Sequence, residues 1–181
     1  INAEFQRLVA LPVKQTLMTQ LDSHSSQLIK VVQSKGGATR AKMPGIMKTY
    51  DEVEDIDIHR ECVLKGLITF LGEDAQDLIK ECCGSKRSGD DAEMELKQLT
   101  MVVFVIRKEG EGLKEPPEDI GIVIEGVDVL HDLTSVASAC ALLLGLLYAL
   151  NLAYPKPLRF TFEVFQKLFM QLEQHKMSPK V

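Results

Sequence analysis

From Thr134 to Pro155 the chain has no charged residue, and Val136 to Leu150 is almost wholly apolar. Such a run either spans a membrane, which takes about 20 apolar residues, or forms a helix buried on all sides. Ser135, Ser138, Gly145 and Asn151 dilute the run, and no polybasic segment marks a cytoplasmic flank. The pattern therefore favours a central buried helix, around which the remaining segments must pack.

They have the means to do so. Hydrophobic residues make up 45% of the 181, the share of an ordinary globular protein and too high for disorder. Up to residue 83 the period is helical. Pro12 suits a first turn, with Leu17 and Leu21 as apolar positions. A second helix then carries Leu28, Ile29 and Val32, with Ser25 or Ser26 as its cap and Gly36-Gly37 as its stop. A short helix is expected around Arg40 to Lys48, weakened by Pro44-Gly45. A firmer one runs from Ile58 to Leu71, capped by Asp55 or Asp57 and ended by Gly72. Asp74 caps a further short helix reaching Cys82.

Residues 84–97, beginning Gly84-Ser-Lys-Arg-Ser-Gly, read as a loop or linker between a region 1–83 and a region 98–181, which form either separate domains or one continuous domain. After it the pattern changes. Leu99 to Ile106 is β-branched and apolar, a buried strand, and Ile120 to Ile124 is a second. The two would pair as a hairpin around a charged loop holding Pro116-Pro117, and must rest on helices to be stable. The apolar helix follows, from about Leu133 to Asn151, with Asp132 or Thr134 as cap. A turn at Tyr154-Pro155-Lys-Pro157 leads into an amphipathic helix from about Arg159 to Glu173. Leu158, Phe162, Phe165, Phe169 and Leu172 form its stripe, and Glu163 with Lys167 a supporting pair. The fold class is α+β, predominantly α: a helical N-terminal half, then a β-hairpin packed on a C-terminal helical hairpin.

Charge and motifs exclude more chemistry than they suggest. The net charge of -5 disfavours a dedicated nucleic-acid binder, which needs a cationic surplus against phosphates. One local exception is Lys30, Lys35, Arg40, Lys42 and Lys48, in a stretch without acids. This basic patch could meet phosphates, or face the acidic run Asp51 to Asp57 within the same fold. No aromatics interleave it, which favours the internal role. The acidic run lacks the alternating ligands and glycine turn of a calcium loop. Ser34-Lys35-Gly36-Gly37 lacks the ending of a P-loop and reads as a helix stop.

His59, Cys62, Cys82 and Cys83 are the soft-metal candidates, but Cys62 belongs to an apolar stripe and no C-x-x-C spacing occurs. His131-Asp132 with Ser135 and Ser138 is the one histidine–acid–hydroxyl group, without a nucleophile elbow. No catalytic residue, cofactor or metal is expected. Four cysteines without a disulfide framework fit a reducing cytoplasmic or nuclear setting. A start at Ile1 suggests a piece of something longer.

Ile1-Asn-Ala-Glu-Phe-Gln-Arg-Leu8, Asp55 to Gly66, Glu118 to Gly126, Leu146 to Pro155 and Arg159 to Phe165 resemble the C-terminal region of the fish proteins labelled sterile alpha motif domain-containing protein 3-like. The resemblance runs the length of the chain and carries no functional residue to any position. The sterile alpha motif itself would lie elsewhere. The resemblance implies an interaction-type protein, since such motifs self-associate or bind partners. The expectation is a non-enzymatic interaction or scaffold region, working through a protein partner or itself. The alternative is a nucleic-acid-associated module using Lys30 to Lys48; a membrane role is disfavoured.

Overall fold

The computed structural model describes residues 1, 12–34, 39–83, 100–108, 110 and 115–172, with only the backbone given for 39–43 and Cys83. The linker 84–97 and the glycine stop at Gly36-Gly37 lie outside these residues.

Helix α1 spans Val13–Ser34 and buries Val13, Leu17, Leu21, Ile29 and Val32. It is one helix where the sequence suggested two. Ser25 does not cap a new start, because its hydroxyl donates to the Leu21 carbonyl 2.6 Å away inside the helix. Helix α2, Thr39–Glu52, runs on past Pro44. Helix α3, Ile56–Leu71, has the expected ends. Asp55 accepts from the Asp57 and Ile58 amides at 2.8 and 3.0 Å. Gly72 takes φ 80°, and Gly72 and Glu73 donate back to Thr69 and Ile68. The middle of α3 is buried on every side, from Glu61 to Thr69.

The sheet corrects the sequence reading most. The helix α4 capped by Asp74 is only Ala75–Leu78, and the chain then extends as strand β1, Ile79–Cys83. Strands β2 (Met101–Arg107) and β3 (Asp119–Ile124) form the expected antiparallel pair. A fourth strand, β4 (Val127–Leu130), follows β3 directly. The order is β1-β2-β3-β4, with β1 parallel to β2, so the hairpin is the centre of a sheet. Glu125 (φ 50°) and Gly126 (φ 74°) make the turn between β3 and β4; both central positions of such a turn need positive φ.

Helix α5, Val136–Ala149, is the uncharged run, capped by Ser135 rather than by Asp132 or Thr134. It lies against α1, α3, β2 and β3. At 1.5 Å per residue its 14 residues reach about 21 Å, short of a bilayer core of about 30 Å. No helix among the described residues is long and apolar enough to cross a membrane. Helix α6, Arg159–Val164, begins on a distant carboxylate: Glu73 accepts from the Phe160 and Thr161 amides at 2.7 and 2.9 Å. It then widens into a π-turn, Phe165–Phe169, closed by Met170 donating to the Phe165 carbonyl. The helix therefore stops at Phe169, short of the expected Glu173.

One hydrophobic cluster draws on α1, α3, β1, β2, β3, α5 and α6, with Val103, Val105, Ile120, Ile122 and Ile124 on the sheet side. Thus β1, from before the linker, and β2, from after it, pair in the same sheet over the same core. The opposite face of the sheet carries a smaller cluster of Val102, Phe104, Ile106 and Val123. There Phe104 pairs with Gly121 across the strands. A Cβ at Gly121 would collide with the Phe104 ring and the Leu130 carbonyl, so glycine is needed for the two to approach.

Candidate functional site

The expected basic patch is spread over the first two helices. Lys30 is exposed on α1, Lys48 is exposed on α2, and Lys35 lies outside the described residues. Arg40 and Lys42 are placed on the α2 backbone, without description of their side chains. Lys48 stands 3.9 Å from Glu52, an exposed pair of the kind that contributes little to stability. The acidic run is spent locally. Asp55 caps α3, and Asp57 holds Arg60 at 2.9 Å while Asp22 on α1 holds the same guanidinium at 2.6 Å. Hydrogen bonding to Asp22 raises the Arg60 pKa against the opposing effect of burial, with help from Asp57.

The soft-metal candidates do not converge. His59 stacks on Tyr50 with ring centres 4.4 Å apart and points Nε2 at the Val53 carbonyl. Cys62 is fully buried in the core. Among the described residues no three ligating side chains form a metal-sized group. Burial pushes the Cys62 thiol up to about 11, with the Glu61 charge adding to it. Burial likewise pushes Cys140 up to about 12. Neither is a nucleophile near neutral pH.

Two arrangements were not anticipated. The first is a buried ion network joining α3 to the sheet. Lys65 Nζ lies 2.6 Å from Glu61 Oε1 and 2.5 Å from Glu81 Oε1 on β1. Arg107, at the end of β2, reaches Glu61 Oε2 at 3.4 Å and donates to the Glu115 carbonyl at 2.7 Å. Glu61, Lys65 and Arg107 are all buried. Burial alone would lower the Lys65 pKa, but attraction to Glu61 and Glu81 and hydrogen bonds to both outweigh it and hold it above the ordinary lysine range. A pocket of about 350 Å³ opens beside this network, between the start of α3, the start of α5 and Pro116-Pro117. Three of its carboxylates are engaged, Asp55 as a cap and Asp57 and Glu61 in ion pairs, and Ser135 is a helix cap. The arrangement fastens elements together rather than presenting a reactive group. Its legible signal was the i, i+4 spacing of Glu61 and Lys65 beside the apolar stripe of the helix.

The second arrangement is the outer edge of the sheet. β4 pairs with β3 on one side and, among the described residues, ends the sheet. The register steps from Ile122↔Leu130 to Val123↔Asp128, which leaves Val129 as the extra residue of a bulge. Val127 is 61% exposed and Val129 39%. The other exposed large apolar side chains among the described residues, Val31, Ile56 and Leu150, stand on separate elements. Single exposed apolar residues are normal; these two share one four-residue edge strand. His131 closes the far end, with Nε2 3.1 Å from Asp128 Oδ1 and Nδ1 3.8 Å from Asp119 Oδ2. It is not drawn into a catalytic group with Ser135, whose hydroxyl accepts the Ser138 amide at 3.2 Å. The local sign of this edge was Gly126 between two β-branched runs, weaker than the Asn-Gly or Asp-Gly of a two-residue hairpin turn.

No protein-family model, curated protein or solved structure matches this chain.

Proposed function

We propose that this chain is a non-enzymatic protein-interaction or scaffold region that engages its partner through the open edge of its sheet. One observation carries the reading: β4 is a sheet-ending strand with Val127 and Val129 turned out to solvent. An edge strand offers unpaired backbone groups as well as side chains, and an extended segment can add to it as a further strand. The resemblance to an interaction-type family agrees with this reading. Cys62, Cys82 and Cys140 are unbridged, in keeping with work in the reducing cytoplasm or nucleus.

The test is site-specific photo-crosslinking in cells, with the reactive residue placed at Val127, and at the exposed Gln27 on α1 as control. A discrete adduct from Val127 that Gln27 does not give supports the reading. Light scattering on the purified chain then shows whether the adduct is a second copy or another protein. Absence of a Val127-specific adduct, together with a monomer at all concentrations, overturns it.

A further inference from the structure

We infer that the segment docking on β4 is an extended strand with an apolar centre and Lys or Arg on both flanks, and not a second copy of this chain. The inference rests on the interaction reading above and names its partner. Residues 115–155 contain Glu115, Glu118, Asp119, Glu125, Asp128 and Asp132 and no Lys or Arg. Two of these acids bracket the edge: Glu125 in the turn before β4 and Asp132 just after it, both exposed. Between them stand Val127 and Val129. An incoming strand with a β-branched centre would cover the valines, and cations at its ends would meet Glu125 and Asp132.

The same charges decide against self-pairing. If β4 paired antiparallel with a second β4, Glu125 of each copy would approach Asp132 of the other. Like charges directly across strands are destabilising, and opposite charges favourable. The bulge at Val129 further spoils the flat repeat that two identical edges need. An acidic, bulged, short edge rejects its own copy and keeps its attraction for a basic segment.

The experiment uses the whole chain and two fluorescein-labelled peptides, Lys-Thr-Val-Thr-Val-Thr-Lys and the same sequence with Glu at both ends. Anisotropy titrations at physiological salt give affinities, and amide chemical shifts locate the site. The expected result is binding of the Lys-ended peptide about tenfold tighter than the Glu-ended one, with shifts centred on residues 125–132. The double change Glu125→Gln with Asp132→Asn removes both charges and keeps side chains of similar size, and should abolish the preference. A preference unchanged in that variant overturns the inference. So does equal binding of both peptides at β4, although the interaction reading then stands on its crosslinks. Concentration-dependent broadening of the β4 amides without peptide overturns it in favour of self-association. No shift at β4 with either peptide overturns it too, and the Val127 crosslink then decides separately whether the edge engages anything.

Discussion

The two edges of the sheet are built on opposite plans. β1 is fastened from above: Ile79 is fully buried, and Lys65 from the buried middle of α3 grips Glu81. β4 is held by its pairing with β3, a two-residue turn at one end and the His131 contacts at the other, with its valines outside. A strand anchored by a buried helix is tied into the fold, and an edge that is left open must be guarded by charge, shortness or a bulge. β4 has all three guards. The contrast separates a part of the sheet tied to the buried middle of α3 from the part where we propose that a partner docks.

The strongest way to break the contrast is to unfasten β1. Lys65→Met leaves Glu61 buried with only Arg107, 3.4 Å away, as a counter-charge. Removing one member of a buried ion pair costs about 3–5 kcal/mol, and urea unfolding should show a loss of that order. Replacing Glu61 by Gln in the same chain should recover part of it, since the stranded charge is then gone. A loss under about 1 kcal/mol, the range of exposed pairs, would mean that the network does not hold β1.

Next in size is Gly121→Ala, which attacks the β4 side from within. The added methyl meets the Phe104 ring and the Leu130 carbonyl. The ring sits in the cluster with Val102, Ile106 and Val123 and edge-on to His131, and the carbonyl belongs to β4 itself. Overpacking of this kind costs about 1–3 kcal/mol. Hydrogen exchange should show the β4 amides opening first, while those of β1 keep their protection. Equal loss at both edges would show the sheet to be one cooperative unit, without the division drawn above.

Why one plan was readable in the sequence and the other only in part follows from the range of the interactions. The ends of α3 were legible because Asp55 and Gly72 act within four residues of themselves. The apolar run of α5 declared its burial by composition alone. By contrast, Ile79 to Cys83 carries no local strand signal; its extended form depends on β2, whose first residue is Met101. The grip of Lys65 on Glu81 is equally non-local. β4 failed for another reason. It is four residues long, and its turn is Glu-Gly instead of the Asn-Gly or Asp-Gly that announces a hairpin. The unity of α1 was hidden by Ser23, Ser25 and Ser26, which resemble caps but are absorbed by an existing helix, where Ser23 and Ser25 donate to carbonyls of the preceding turn.

A gentler probe of the fastened side is alkaline pH. Lys65 has its folded pKa raised above the ordinary 10.5, while Cys62 and Cys140 are raised from 9.0 to about 11 and about 12. Each raised value means that the unfolded chain releases its proton first. The stability these groups contribute is therefore complete below pH 9 and is lost as pH rises, first through the two thiols and then through Lys65. Melting temperature should be flat with respect to these groups from pH 7 to about pH 9 and fall beyond it. In Lys65→Met the part of the fall above about pH 10.5 should shrink. An unchanged fall in that variant would remove Lys65 from the account of alkaline stability.

The smallest effect on stability is expected where the largest effect on binding lies. Val127→Thr with Val129→Thr keeps β-branched side chains that suit a strand and removes apolar surface already open to water. Val127 is 61% and Val129 39% exposed, so only the covered part of each side chain has burial energy to lose, and the unfolding free energy should stay within about 0.5 kcal/mol of the parent. Affinity for the Lys-ended peptide should nonetheless fall severalfold, because covering those methyl groups is what an added strand gains beyond its backbone bonds. A loss of stability above about 1 kcal/mol would mean that the valines support the sheet, and the two edges would then be alike. Unaltered stability with unaltered peptide affinity would put recognition in the charges and the backbone alone. The pair of measurements thus assigns the valines of β4 to the fold, to the partner, or to neither.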